Sequence, residues 1–152
     1  MKKIFVMLVT AMMVLSGCEF HTTKVVDGAC IFTDYITAAG DVPGVSGRKS
    51  WVQQGAAGQS GCFVYQEFRF NEITRDVLKY GAVMVYMIDA STDKPLPYIS
   101  TFEGGRENVN ETISFEVEKG LLRVVVKWDD FGIYDITESL KFKVCIFYPE
   151  EE

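Results

Sequence analysis

Alternation of apolar and polar side chains sets the pattern over most of this chain. In CFVYQEFRF, Cys62, Val64, Phe68 and Phe70 share one face, with Phe63, Tyr65, Glu67 and Arg69 on the other. TISFEVE sets Ile113, Phe115 and Val117 against Ser114, Glu116 and Glu118. LLRVVVKW sets Leu122, Val124, Val126 and Trp128 against Leu121, Arg123, Val125 and Lys127. SLKFKVCIFY sets Leu140, Phe142, Val144, Ile146 and Tyr148 against Lys141, Lys143, Cys145 and Phe147. A period of two predicts half-buried strands, and Lys119-Gly120 between the second and third predicts a hairpin. AVMVYMI (82–88) is apolar on both faces and predicts a central strand; CIFTDYI (30–36) and YISTF (98–102) predict shorter ones.

The period changes only once. In NEITRDVLKYG either Asn71 or Thr74 is a candidate cap, Ile73, Val77 and Tyr80 form a stripe, and Gly81 ends the segment, which predicts one short helix over about 72–80. A helix of that length is not stable alone, so its stripe is expected to cover an end or edge of a sheet. Short alternating strands with one helical stretch predict a mainly β fold, an antiparallel two-sheet sandwich of immunoglobulin-like kind.

The first residues follow another logic. Lys2 and Lys3 precede an apolar run, Ile4–Leu15, interrupted only by Thr10. As a helix the run spans roughly 18 Å, too short for a hydrocarbon core of about 30 Å, and the layout is that of a secretory signal. Leu15-Ser16-Gly17-Cys18 ends it and resembles the bacterial lipobox. That resemblance implies cleavage before Cys18, a diacylglyceryl group on its thiol and an acyl chain on its new amine; the alternative is an ordinary signal with an incidental cysteine. The expected organisation is a signal peptide over 1–17, a lipidated cysteine and polar tether over 18–27, and one domain over 28–152. Multiple acyl chains make anchoring effectively permanent.

Processing changes the charge and cysteine picture. The leader holds two of the 15 basic side chains and none of the 21 acidic ones, so the mature chain is more acidic than the formal −6 of the whole. That excludes nucleic acid as a partner and leaves the lipid to hold the protein at a membrane. Cys30, Cys62 and Cys145 remain beside the anchor, enough for at most one disulfide; their apolar settings also suit buried free thiols. The single histidine, His21, lies in the expected tether, so a Ser-His-Asp triad and most zinc hydrolases are excluded from the body, and no cofactor or metal site is expected.

The stretch EITRDVLKYGAVMVY, residues 72–86, resembles one common in small lipoproteins of the Bacteroidetes, where an Ile-Thr-x-x-Val-Leu-x-x-Gly-x-Val-x-Val-Tyr run follows an aromatic strand. Trp51 upstream and the Lys-, Phe- and Val-rich last strand are also similar. The resemblance implies a compact β-rich domain and carries no catalytic or binding residue. It departs in the loop between Ala38 and Gly61, whose glycines are not collagen-like and in which Trp51-Val52 is the only bulky apolar pair.

Two functional expectations follow. The first is a non-catalytic, membrane-anchored module of the cell envelope, on the outer membrane, whose loop aromatics Trp51, Trp128 and Tyr134 are candidate contacts for an envelope protein or a glycan. In the alternative these rings plug the ends of the sandwich. The second expectation is a glycan-processing enzyme drawing two carboxyls from Glu103, Glu107, Glu111, Asp129, Asp130 and Asp135. DDFGIYD (129–135) also invites a calcium reading, but it lacks EF-hand spacing and reads more simply as a solvated turn.

Overall fold

The computed structural model describes the backbone of residues 22–26, 29–40, 50–104 and 107–148, and the side chains of 32–40, 50–103 and 107–148. Leader, lipobox, residues 41–49 of the glycine-rich loop, the Cys30 side chain and the acidic end all lie outside the described residues.

Among the described residues, ten strands and one helix follow in the order β1 (Thr22–Val26), β2 (Ala29–Ala38), β3 (Val52–Gln54), β4 (Phe63–Arg69), α1 (Arg75–Tyr80), β5 (Ala82–Ile88), β6 (Asp93–Pro95), β7 (Tyr98–Gly104), β8 (Glu107–Glu118), β9 (Leu121–Trp128) and β10 (Leu140–Phe147). They form two antiparallel sheets, ordered β1-β2-β10-β5-β6 and β3-β4-β9-β8-β7. The expected two-sheet sandwich is what forms.

Period-two patterning explains the core. Phe142, Val144 and Ile146 of β10 are fully buried on one side of it, and Leu122, Val124 and Val126 of β9 on the other. Each of these strands lies in the middle of its sheet, with ladder partners on both sides. Val125 is as buried as its neighbours although it faces outward. Across the ladder it meets Tyr65, whose ring carries the Arg123 guanidinium at 4.8 Å. Arg123 also bridges Glu67 at 2.6 Å and Glu116 at 3.2 Å, so the outer face of this sheet is closed by a stacked cation and two acids.

The hairpin expected at Lys119-Gly120 is present, with Glu118 opposite Leu121. Gly120 takes φ 75°, a left-handed turn geometry that glycine adopts without a Cβ penalty. Its N–H donates to Ile73 O at 2.8 Å and its carbonyl accepts from Phe70 N at 3.0 Å, tying the hairpin to the entrance of α1.

Three expectations change. The tether over 18–27 contains β1, which pairs with β2 from Val26↔Ala29 to Thr22↔Thr33. The helix is six residues, not about nine. Thr74 rather than Asn71 caps it, accepting from Val77 N at 3.2 Å. Its apolar stripe stops at Val77: Ile73 is buried before the cap, Val77 is buried within the helix, and Tyr80 in the last turn is 63% exposed. The third change is β5, which was expected to be central. It pairs with β10 along its whole length, but with β6 only at Tyr86, Met87 and Ile88, so its first half is a sheet edge. Val85 is buried while Met84, on the outer face, is 41% exposed.

Candidate functional site

The three aromatic residues singled out from sequence come together at one end of the sandwich, around the turn after β9. Trp128 ends β9 with its side chain on the inner face and is only 3% exposed. Its Nε1 donates to Glu111 Oε2 at 3.2 Å, because Glu111 is its cross-strand partner on β8. The Tyr134 ring lies 5.5 Å from the Trp128 ring and 5.1 Å, edge-on, from Phe102. These centroid distances lie in the favoured range for aromatic pairs. Trp51 is also 3% exposed and borders a cavity of about 10 Å³ with Ile133, Tyr134 and Ile136. Such a volume admits no sugar ring, and the Trp51 Nε1 is buried without a hydrogen-bond partner among the described residues.

Of the two readings of these rings, exposed contacts or plugs of the sandwich ends, the plug is what forms at Trp51 and Trp128, and neither ring is open as a contact. Both rings plug the sandwich, because inward-facing positions at strand ends are covered by the segment 133–136 crossing over them. The exposed ring here is Phe131, 42% accessible, which sequence reasoning passed over as part of a turn. It takes φ 58°, unusual for a bulky residue. Its carbonyl accepts from Gly58 N at 2.7 Å and from the Cys62 thiol at 2.9 Å, and these contacts pin the turn. No sequence signal marks that conformation, since the donors come from a loop some 70 residues away.

The acidic residues of this end are engaged with their neighbours. Asp129 accepts from the Asn110 backbone at 3.0 Å and from its side-chain amide at 2.7 Å. Asp130 accepts from Tyr134 OH at 2.5 Å and Gly132 N at 2.8 Å. The Tyr134 hydroxyl, helped by the Gly132 N–H, holds the Asp130 carboxyl below the usual carboxylate range, and the Asp130 carboxylate raises the Tyr134 hydroxyl. Glu103, opposite Asn108, and Glu107 lie at the turn end of the β7–β8 pair, just beyond Phe102 and Asn110, and Asp135 is exposed on the covering segment. Among the described residues no group of three or more His, Cys, Asp or Glu is placed to hold a metal ion. Cys62 and Cys145 are free thiols.

A second feature is the outer face of the sheet β1-β2-β10-β5-β6. Cross-strand register aligns Tyr35, Lys143, Tyr86 and Pro95 in one row and Thr33, Cys145 and Met84 in the next. Tyr35 is 62% exposed and Met84 41%. Lys143 stacks over the Tyr86 ring at 4.9 Å and bonds Asp93. Alternation in SLKFKVCIFY and AVMVYMI made the membership of this face legible, but its exposure was not, since an apolar outer face reads equally well as burial under another layer. Beside it, between the β5–β6 turn and the start of β10, lies an open depression of about 470 Å³. Asp89 on its rim is paired with Lys94 at 2.8 Å, which lowers the Asp89 pKa.

No helix among the described residues is long and apolar enough to cross a membrane. Comparison with protein-family models, with curated proteins and with solved structures finds no match to this chain.

Proposed function

We propose that this protein is a lipid-anchored, non-catalytic β-sandwich module of a bacterial cell envelope, held by acyl chains on Cys18. The observation that carries the reading is the order of elements at the start of the chain: two lysines, a twelve-residue apolar run too short to span a bilayer, and Leu15-Ser16-Gly17-Cys18. The resemblance of residues 72–86 to small Bacteroidetes lipoproteins points the same way, with the outer membrane as the location.

A binding or scaffolding role, rather than turnover, draws support from the end of the sandwich. Its carboxylates spend their hydrogen-bonding capacity on the fold, Asp129 on Asn110 and Asp130 on Tyr134, and its tryptophans are packed away. An acid–base pair needs carboxyls facing a common space large enough for a sugar ring. The cavity beside Trp51 is far too small for one, and at the larger open depression beside the β5–β6 turn Asp89 is paired with Lys94.

The test is intact mass and membrane partition of the protein expressed in a bacterium that processes lipoproteins, beside Cys18→Ala. The expected wild type begins at residue 18, carries the added mass of a diacylglyceryl and an acyl group, and fractionates with membranes, while the variant stays uncleaved or soluble. Wild type and variant both cleaved and both soluble would refute the anchor.

A further inference from the structure

We infer that the outer face of the β1-β2-β10-β5-β6 sheet lies against the lipid bilayer, so that anchor and sheet together fix the orientation of the sandwich. The inference rests on the lipidation of Cys18 proposed above. Covalent length is the first argument. β1 begins at Thr22, four residues after Cys18, and four residues reach at most about 14 Å. β1 is the edge strand of this sheet, hydrogen-bonded to β2. The bilayer surface is therefore within a short reach of this sheet's edge, and the body has little freedom to stand away from it.

Polarity then selects the face. Across its width the sheet presents Tyr35 on β2, next to the edge strand, and Met84 on β5, farther in, 62% and 41% exposed, with Tyr86, Cys145 and Phe147 half-buried between and beside them. Tyrosine and methionine side chains suit the boundary of headgroups and acyl chains, where a ring or thioether enters the apolar region and a hydroxyl remains wet. Among the described residues the acid on this face is Asp93, and it is bonded to Lys143; Lys141 adds a second cation. The opposite sheet also exposes Val52 and Ile99, but it turns four acids outward, Glu67, Glu103, Glu116 and Glu118, together with Arg69, Arg123 and Lys127, and of these acids Glu67 and Glu116 are bridged by Arg123. Turning that face to the bilayer would desolvate carboxylates or press them on lipid phosphates. The lipid on Cys18 supplies the affinity, and the sheet supplies only the orientation, so the overall acidity of the chain is no obstacle.

The experiment uses the full-length, processed protein reconstituted in vesicles of phosphatidylethanolamine and phosphatidylglycerol. The vesicles are doped with a phospholipid carrying a diazirine near its glycerol backbone. Intact mass on the same sample reports whether Cys18 is lipidated. After illumination, peptide mass spectrometry is expected to find lipid adducts on Tyr35, Met84, Tyr86 or Phe147 and none on Ile99, Thr101 or Glu116. The double variant Tyr35→Glu, Met84→Glu alters only exposed side chains; with Cys18 still lipidated it is expected to lose the adducts, whereas Ile99→Glu keeps them. Adducts on the opposite face, spread over both faces, or absent from the body while Cys18 is lipidated overturn the orientation and leave the anchor standing. An amine cross-link between copies through Lys141, with no lipid adducts, makes the occupant a second copy and likewise overturns it. An unlipidated, soluble wild type overturns the anchor, and the orientation with it.

Discussion

Replacing Trp128 by alanine distinguishes a plug from a binding platform. The side chain is 97% removed from solvent and packs on Tyr134, which in turn packs on Phe102. Truncation of a buried Trp or Phe to Ala costs about 3–5 kcal/mol through lost transfer energy and the cavity left behind. The Glu111 hydrogen bond adds little to that, because the carboxylate is only half-buried and regains water when the indole is removed. Taking about 4 kcal/mol and a urea slope of about 2 kcal/mol/M, the unfolding midpoint falls by about 2 M. A domain with about 5–15 kcal/mol of total stability survives that loss with a reduced margin. The assay is urea unfolding followed by far-ultraviolet circular dichroism. Trp128→Phe serves as comparison, since it keeps most of the ring, loses the indole N–H and is expected to cost about 1–2 kcal/mol. A loss below about 1 kcal/mol in Trp128→Ala refutes the plug, because surface substitutions fall in that range, and returns Trp128 to the pool of ligand-binding rings.

Two further outcomes are expected. At Gly81 an added Cβ would meet the backbone carbonyl of Phe147 and, at 3.1 Å, that of Val77, neither of which yields like a flexible side chain. Gly81→Ala is therefore expected to destabilise by about 1–3 kcal/mol in the same urea assay, although φ at this position is an ordinary −98°. A neutral result would mean that the junction of α1 and β5 packs more loosely than described. The Asp130–Tyr134 bond predicts a pH signature. The Asp130 pKa is lowered by folding, so its contribution is present above the ordinary carboxylate value and lost as pH falls through the lower folded value. The Tyr134 pKa is raised, so its contribution is present below the ordinary phenol value and lost as pH rises through the higher folded one. Wild type should exceed Tyr134→Phe in melting temperature between about pH 4 and pH 10, and the gap should close at both extremes. A gap independent of pH assigns the effect of the hydroxyl to packing.

Much of this architecture was readable along the chain for a local reason. In a strand, side-chain direction follows from position parity, so which residues of CFVYQEFRF, LLRVVVKW and SLKFKVCIFY share a face needs no knowledge of the rest of the fold. The Lys119-Gly120 hairpin and the Thr74 cap are likewise properties of a few consecutive residues. The lipobox expectation has the same character, resting on four residues and the apolar run before them.

Exposure was not readable, because it depends on what arrives from elsewhere in the chain. Trp51 and Trp128 could be read from sequence either as exposed contacts or as plugs, and what settles the matter is the segment 133–136 crossing over them. Phe131 is held in a left-handed conformation by donors from the loop before β4. AVMVYMI read as central because both its faces are apolar. Pairing with β6 at three residues leaves half of it at an edge and Met84 in the open. Pairing order across the sheet decided this, placing β10, the last strand, between β2 and β5. The sequence by itself determined most of the longer strands and which residues share each face, both set by short-range periodicity, and it is the whole basis of the lipid-anchor proposal for the first eighteen residues. Only the tertiary structure decided which apolar face is covered and which is left to meet a surface, since burial belongs to pairs of segments far apart in the chain.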